Sequence, residues 1–186
     1  MLAQSNRKFT YDEYLAIAEK QRAELIDGEI YLLSSPTFEH QRIISRLNVL
    51  FENLLEDNEC VPVISPFDVI LEDKNEKNIV QPDLLVICER EKINERGFAG
   101  VPALIVEVLS HSTASRDYVV KMNLYMRFGV KEYWIINPQS RTVEIFNIDE
   151  NGYYGIPKTY SKDDIVKSQI FDFIQFPINK LFDFKR

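Results

Sequence analysis

The sequence predicts one α/β domain spanning residues 1–186, built on a sheet that helices cover from both sides. Three observations predict it. The runs Gln81 to Cys88 and Pro102 to Ser110 are so rich in Leu, Val and Ile that they read as strands buried on both faces. Phe38 to Asp57, and the segment from Ser112 or Ser115 to Gly129, carry apolar residues at helical spacing. Asp27-Gly28 and Pro138-Gln139-Ser140 punctuate apolar alternations as hairpin turns do.

Composition narrows the class further. With 45% hydrophobic, 12% aromatic and 27% charged residues, the chain has the profile of a globular protein and not of a disordered one. No apolar run approaches membrane-spanning length, so no membrane partner is expected. Met1 to Lys8 has no hydrophobic region behind its basic pair, which predicts a cytoplasmic protein without a secretory signal. Cys60 and Cys88 are far apart and lack Cys-x-x-Cys spacing, so they are expected as two buried thiols. His40 and His111 are the only histidines, and any metal would therefore be held by oxygen. The net charge of -7 argues mildly against a protein that coats nucleic acid, although it leaves room for a local basic groove.

Thr10 caps a helix from Tyr11 to Lys20, with Asp12 and Glu13 in the first turn where the helix dipole favours acid. Ala23 to Ile26 and Glu29 to Leu33 flank Asp27-Gly28 as an added N-terminal hairpin that sets Glu24 opposite Tyr31. In the long helix, Ile43, Ile44, Leu47, Leu50, Phe51, Leu54 and Leu55 face inward and His40 extends their stripe into the first turn. Val61 to Leu71 reads as one strand with an irregularity at Pro66, followed by a charged turn from Glu72 to Lys77. Glu89 to Gly100 is a polar connection between the two buried strands. At 100° per residue, the helix ending at Gly129 turns Arg116, Asn123 and Arg127 to solvent and Tyr118, Met122 and Tyr125 to the core, with Lys121 on the inward side. Lys131 to Pro138 and Arg141 to Phe146 form a second hairpin, Asn151-Gly152 a further turn, Ile170 to Phe173 a strand and Ile178 to Phe182 a short helical end.

Asp83 and Glu107 each sit in an apolar run, where an unpaired carboxylate costs several kcal/mol, roughly, unless a cation waits for it. Lys121 points inward from the following helix and must either reach water or meet an anion. Two carboxylates and an amine suit phosphodiester hydrolysis. The acids hold Mg²⁺ or Mn²⁺, the backbone carbonyl of Val108 completes the oxygen set, and the lysine orients water or offsets charge on the phosphate. The ordinary alternatives are an Asp capping a turn, a solvated strand-end Glu, and a lysine paired with Asp117 four residues earlier.

The pair Pro82-Asp83 and the strand with Glu107 resemble the PD-(D/E)XK nuclease superfamily. That pattern places a lysine two residues after the glutamate, where Leu109 stands, so the resemblance implies Lys121 as a replacement delivered from the helix. The match is closer to one branch, the Uma-type bacterial proteins of restriction-endonuclease-like character. It runs through Glu24 to Glu29, Ser35-Pro36 with His40, Gln81-Pro82-Asp83, Val106 to Ser110, Arg116-Asp117 with Lys121, and Gly129 to Ile135. The resemblance implies a mixed central sheet flanked by helices and a Mg²⁺-dependent endonuclease acting on DNA. Asp83 and Glu107 would be metal ligands and Lys121 the catalytic lysine, with Glu24 as an additional acid and His40 beside the site. By analogy with enzymes that cut two strands, a homodimer is expected. Two other classes stay open: a non-cleaving nucleic-acid or protein-binding module on the same fold, and a glycoside hydrolase working through its carboxylate pair.

Overall fold

The structure, a computed structural model, describes residues 7–183 except 75, 111 and 112. Helix α1 (Tyr11–Ala18) begins with a reciprocal cap, in which the Thr10 hydroxyl accepts the Glu13 N–H and the Glu13 carboxylate accepts the Thr10 N–H. Strands β1 (Ala23–Ile26) and β2 (Glu29–Leu32) follow as the expected hairpin, with Glu24 opposite Tyr31. Asp27 and Gly28 both take positive φ, 51° and 79°, which matches the twist of the flanking strands. Helix α2 (Phe38–Leu55) buries Ile43, Ile44, Leu47, Phe51 and Leu55, and its Thr37 cap accepts the His40 N–H.

The segment expected as one strand is two. Strand β3 (Val61–Ile64) and strand β4 (Val69–Glu72) lie in different sheets, and the chain changes direction through Ser65 to Asp68. Pro66 has no N–H to give a ladder, which ends the β3 pairing there, and the strands waiting on either side carry the chain into the second sheet. Strand β4 pairs back on β5 (Lys77–Val80) across the charged turn. Next come β6 (Leu84–Ile87), a 3₁₀ turn (Arg90–Lys92), the short β7 (Ile93–Asn94) and β8 (Gly97–Phe98), and then β9 (Leu104–Val108). Arg116–Lys121 form a π-helical turn that runs into helix α3 (Met122–Phe128), closed by Gly129 at φ 78°. His111 and Ser112 lie outside the described residues.

Strands β10 (Glu132–Asn137) and β11 (Thr142–Asn147) make the second expected hairpin. Strand β12 (Lys158–Tyr160) pairs with β11, and β13 (Ile165–Lys167) with β14 (Gln175–Pro177), before α4 (Asn179–Phe182). The last strand is therefore Gln175–Pro177, and not the expected Ile170 to Phe173. Those residues belong to the connection, where the Phe171 N–H bonds Ser168 Oγ and the Ile174 N–H bonds the Phe171 carbonyl.

The central sheet runs β12-β11-β10-β9-β6-β3 and is mixed, since β9 is parallel to β10 and antiparallel to β6. The N-terminal hairpin extends into a second sheet, β2-β1-β5-β4-β8-β7. Strands β6 and β9 are covered on both faces, as their composition demands. Leu84, Val86, Leu104 and Val106 pack with α2 through Ile43, Leu47 and Phe51, while Leu85, Ile87 and Ile105 pack with Leu124 and Tyr125 of α3. Among the described residues no helix is long and apolar enough to cross a membrane.

The cysteine expectation fails. Cys60 and Cys88 form a disulfide, with Cys60 buried and Cys88 exposed. The register of β3 on β6 pairs Val61 with Ile87, so Cys60 and Cys88 are the next cross-strand neighbours despite a sequence separation of 28.

One buried acid is structural. Glu132 accepts the Trp134 indole N–H at 2.7 Å and the Gln169 N–H at 2.7 Å, anchoring the C-terminal segment to the central sheet. Replacing it by alanine strands both donors inside the protein. Glu132→Ala is expected to cost about 2 to 4 kcal/mol in urea denaturation, and Glu132→Gln less, because the amide oxygen keeps one acceptor.

Candidate active site

The acids meet because of strand register. Strand β6 pairs antiparallel to β9 with Leu84 opposite Val106, so one step further sets Asp83 opposite Glu107 on the same face of the sheet. Cross-strand neighbours of this kind have Cβ atoms about 4.5 to 5.5 Å apart. The Asp83 carboxylate also accepts the Val108 N–H at 2.8 Å, which clips the start of β6 to the end of β9.

Lys121 enters from the π-helical turn. Its Nζ lies 2.8 Å from Glu107 Oε1 and 2.8 Å from Glu24 Oε1, so one ammonium joins a carboxylate of the central sheet to a carboxylate of the other sheet. Glu24 Oε1 further accepts the Gln81 N–H at 2.9 Å, and Glu107 Oε1 accepts the Tyr125 hydroxyl at 2.9 Å. Leu109, which stands where the superfamily pattern has its lysine, fills the apolar cluster under α3 instead. His40 Nε2 lies 3.1 Å from Asp83 Oδ2, placed there by the first turn of α2.

All five expected site residues thus come together. Asp83, Glu107, Lys121 and His40 line a cleft of about 320 Å³, and Glu24 sits behind it, bonded to Lys121. Val108 also lines the cleft. Two further residues belong to it. Asp117, four residues before Lys121, is buried and acts on the amine through its charge. Arg116, expected in solvent, lines the cleft with only 14% of its side chain exposed.

The reason for that last correction is the helix type. The Met122 N–H bonds the Asp117 carbonyl, five residues back, so residues five apart stack where an α-helix would stack those four apart. Arg116 and Lys121 therefore share a face. Nothing in the sequence between Ser115 and Met122 announces the wider turn.

Electrostatics follow from one amine among several acids. Burial alone would push Lys121 down, but Glu107, Glu24 and Asp117 more than reverse it and hold the amine charged. Burial pushes the Glu107 carboxyl well above its usual range, with Lys121 pulling the other way. Burial likewise lifts Asp117 to about 6 against the pull of Lys121. Burial would lower His40, yet Asp83 and the Val108 backbone overcome it and raise the imidazole above 6.5.

Among the described residues five buried side-chain polar atoms lack a hydrogen-bond partner: Asn78 Nδ2, Asn147 Oδ1 and, around the cleft, the three atoms Glu24 Oε2, His40 Nδ1 and Arg116 Nε. Such orphans cost about 1 to 3 kcal/mol each, and the last three belong to cleft residues or to their immediate support. No three His, Cys, Asp or Glu side chains are gathered for a metal among the described residues. The Asp83 and Glu107 pair with a backbone carbonyl and solvent still matches what Mg²⁺ accepts, since that ion commonly takes one or two carboxylates and keeps several waters.

The mixed sheets with their flanking helices have a restriction-endonuclease-like α/β fold. A crystal structure from Anabaena variabilis ATCC 29413, described as a putative nuclease belonging to DUF820, superposes with a TM-score of 0.76 over 94% of this chain and 97% of its own. At 20% identity that likeness speaks for the fold alone. The chain belongs to the Uma2 family, described as "Putative restriction endonuclease", which matches residues 11–179. Two uncharacterised proteins of Synechocystis sp. (strain ATCC 27184 / PCC 6803 / Kazusa) are also similar. One is 31% identical over 148 residues, 78% of this chain and 77% of the relative, and the other 29% over 149 residues, 77% and 83%.

Two outcomes follow from this geometry. Lys121→Ala leaves Glu24 and Glu107 buried without their shared cation and is expected to cost about 3 to 5 kcal/mol by chemical denaturation. His40 is protonated more readily folded than unfolded. Its contribution to stability is therefore complete below about pH 6.5 and fades as pH rises through the higher folded value. An NMR titration should place the His40 midpoint above 6.5 and show it falling in Asp83→Asn.

Proposed function

We propose that the protein is a metal-dependent endonuclease that hydrolyses phosphodiester bonds in DNA. The single observation carrying this reading is the convergence of Asp83 and Glu107 on neighbouring strands with the Lys121 ammonium 2.8 Å from Glu107. The family description and that of the Anabaena variabilis structure, both nuclease descriptions, support the same class.

In this reading Asp83, Glu107 and the Val108 carbonyl hold Mg²⁺ or Mn²⁺, which when bound polarises the phosphate and acidifies a water. The chain's own residues do the rest. Lys121, kept protonated by the acids around it, faces the cleft as a fixed positive charge for the phosphate as negative charge grows on it. Glu24 holds that amine from the other sheet, so Glu24 is a positioning residue. His40, 3.1 Å away, fixes the orientation of the Asp83 carboxylate. Because these groups are set before substrate arrives, little reorganisation is left for the reaction itself.

A non-cleaving binding module remains the second reading, favoured by one observation: Glu107 Oε1 already serves both Lys121 and Tyr125. Supercoiled DNA separates the two. With Mg²⁺ or Mn²⁺ the wild type should nick it, Asp83→Ala should fall to background while remaining folded, and Lys121→Met should lose about 10²-fold or more. Equal nicking by wild type and Asp83→Ala removes the nuclease reading, and DNA binding without nicking establishes the module.

A further inference from the structure

Arg116 holds a position that its protein contacts do not explain. Its Nε is buried without a partner, and its Nη1 is 3.8 Å from Glu24 Oε2, beyond hydrogen-bond reach. That carboxylate oxygen is buried and unpartnered in turn. The guanidinium rests over the Tyr31 ring, 5.3 Å from its centroid, and the Tyr31 hydroxyl is fixed by Glu29 at 2.8 Å. Arg22, on the same cleft, is bonded quite differently: its Nε donates to Gln81 Oε1 at 3.0 Å and its Nη2 to Ser65 Oγ at 2.7 Å.

A guanidinium with a buried, unmet N–H carries a cost, so an arrangement that keeps one calls for an acceptor that arrives later. The planar fork of an arginine fits a pair of oxygens on one tetrahedral centre, and a lysine ammonium does not reproduce it. Arg116 has the setting for that use. The π-helical turn puts it on the face of Lys121, the Tyr31 ring backs it, and it borders the cleft that holds Asp83 and Glu107.

We infer that Arg116 receives the non-bridging oxygens of a backbone phosphate drawn into the cleft, and so selects a nucleic-acid strand as the ligand. The inference rests on the phosphodiester reading of the cleft, but it concerns binding and is testable without turnover. The rival role for Arg116 is to balance the charge of Glu24.

The experiment measures fluorescence anisotropy of a labelled single-stranded oligothymidylate in EDTA, at several salt concentrations, with nicking of supercoiled DNA in Mg²⁺ run beside it. Arg116→Gln should raise the Kd by about tenfold or more and reduce the slope of log K against log salt by about 0.7. The loss should persist in a Glu24→Gln background, where no carboxylate charge is left at that position to balance. Arg116→Lys, which keeps the charge beside Glu24 and guards against a folding failure, should still weaken binding by about threefold because the fork is gone. Unchanged binding in both Arg116 variants, a loss that vanishes in the Glu24→Gln background, or no binding by the wild type overturns the assignment. Binding that depends on Arg116 without nicking upholds it while removing the nuclease reading, and nicking with unchanged binding does the reverse.

Discussion

The Lys121 ammonium, 2.8 Å from both Glu24 and Glu107, is the contact on which the arrangement of this protein depends. It ties a carboxylate of one sheet to a carboxylate of the other, and it lets both stay in the interior. Either acid alone would carry a desolvation cost of several kcal/mol, roughly, that the surrounding Leu, Val and Tyr side chains cannot offset. Such clusters seldom add net stability compared with apolar packing, so their meaning is in where they hold charge. Here the amine comes from helix, one acid from β1 and the other from β9, so the site exists only when all three elements are docked.

The acids outnumber the amine, and that shapes the chemistry. Glu107 is pushed well up and Asp117 raised to about 6, both chiefly by burial and against the pull of Lys121. Asp83 has different neighbours. It is less deeply buried, accepts the Val108 N–H and lies against His40, so its carboxylate borders the cleft while Glu107 is tied to Lys121. The two cross-strand acids therefore differ in environment, which is how neighbouring carboxylates acquire different tasks.

Much of the candidate site was legible because it follows short-range rules. An acid inside a run of buried aliphatics demands a partner whatever the fold, and that reasoning reaches Asp83 and Glu107. Asp-Gly between apolar alternations sets the register that places Glu24 opposite Tyr31. Helical spacing turns Lys121 inward, and there a residue-by-residue rotation of 100° is accurate enough, because the amine needs only the right half of the helix. For Arg116 the same rotation fails, since the backbone between it and Lys121 is π-helical. Pro66 shows the converse limit: its missing N–H was evident, but whether the chain would bulge or change sheets depended on which strands waited on either side.

By itself the sequence determined the two buried strands β6 and β9, the two hairpins, the stripe of α2 and the three ionisable groups that cannot lie idle in an apolar setting, because burial and turn geometry are local demands of the residues concerned. Only the tertiary structure decided that Cys60 faces Cys88, that Asp83 stands across from Glu107, and that one amine serves acids from two sheets. Those are matters of register and docking between segments distant along the chain, and no local preference encodes which of them become neighbours.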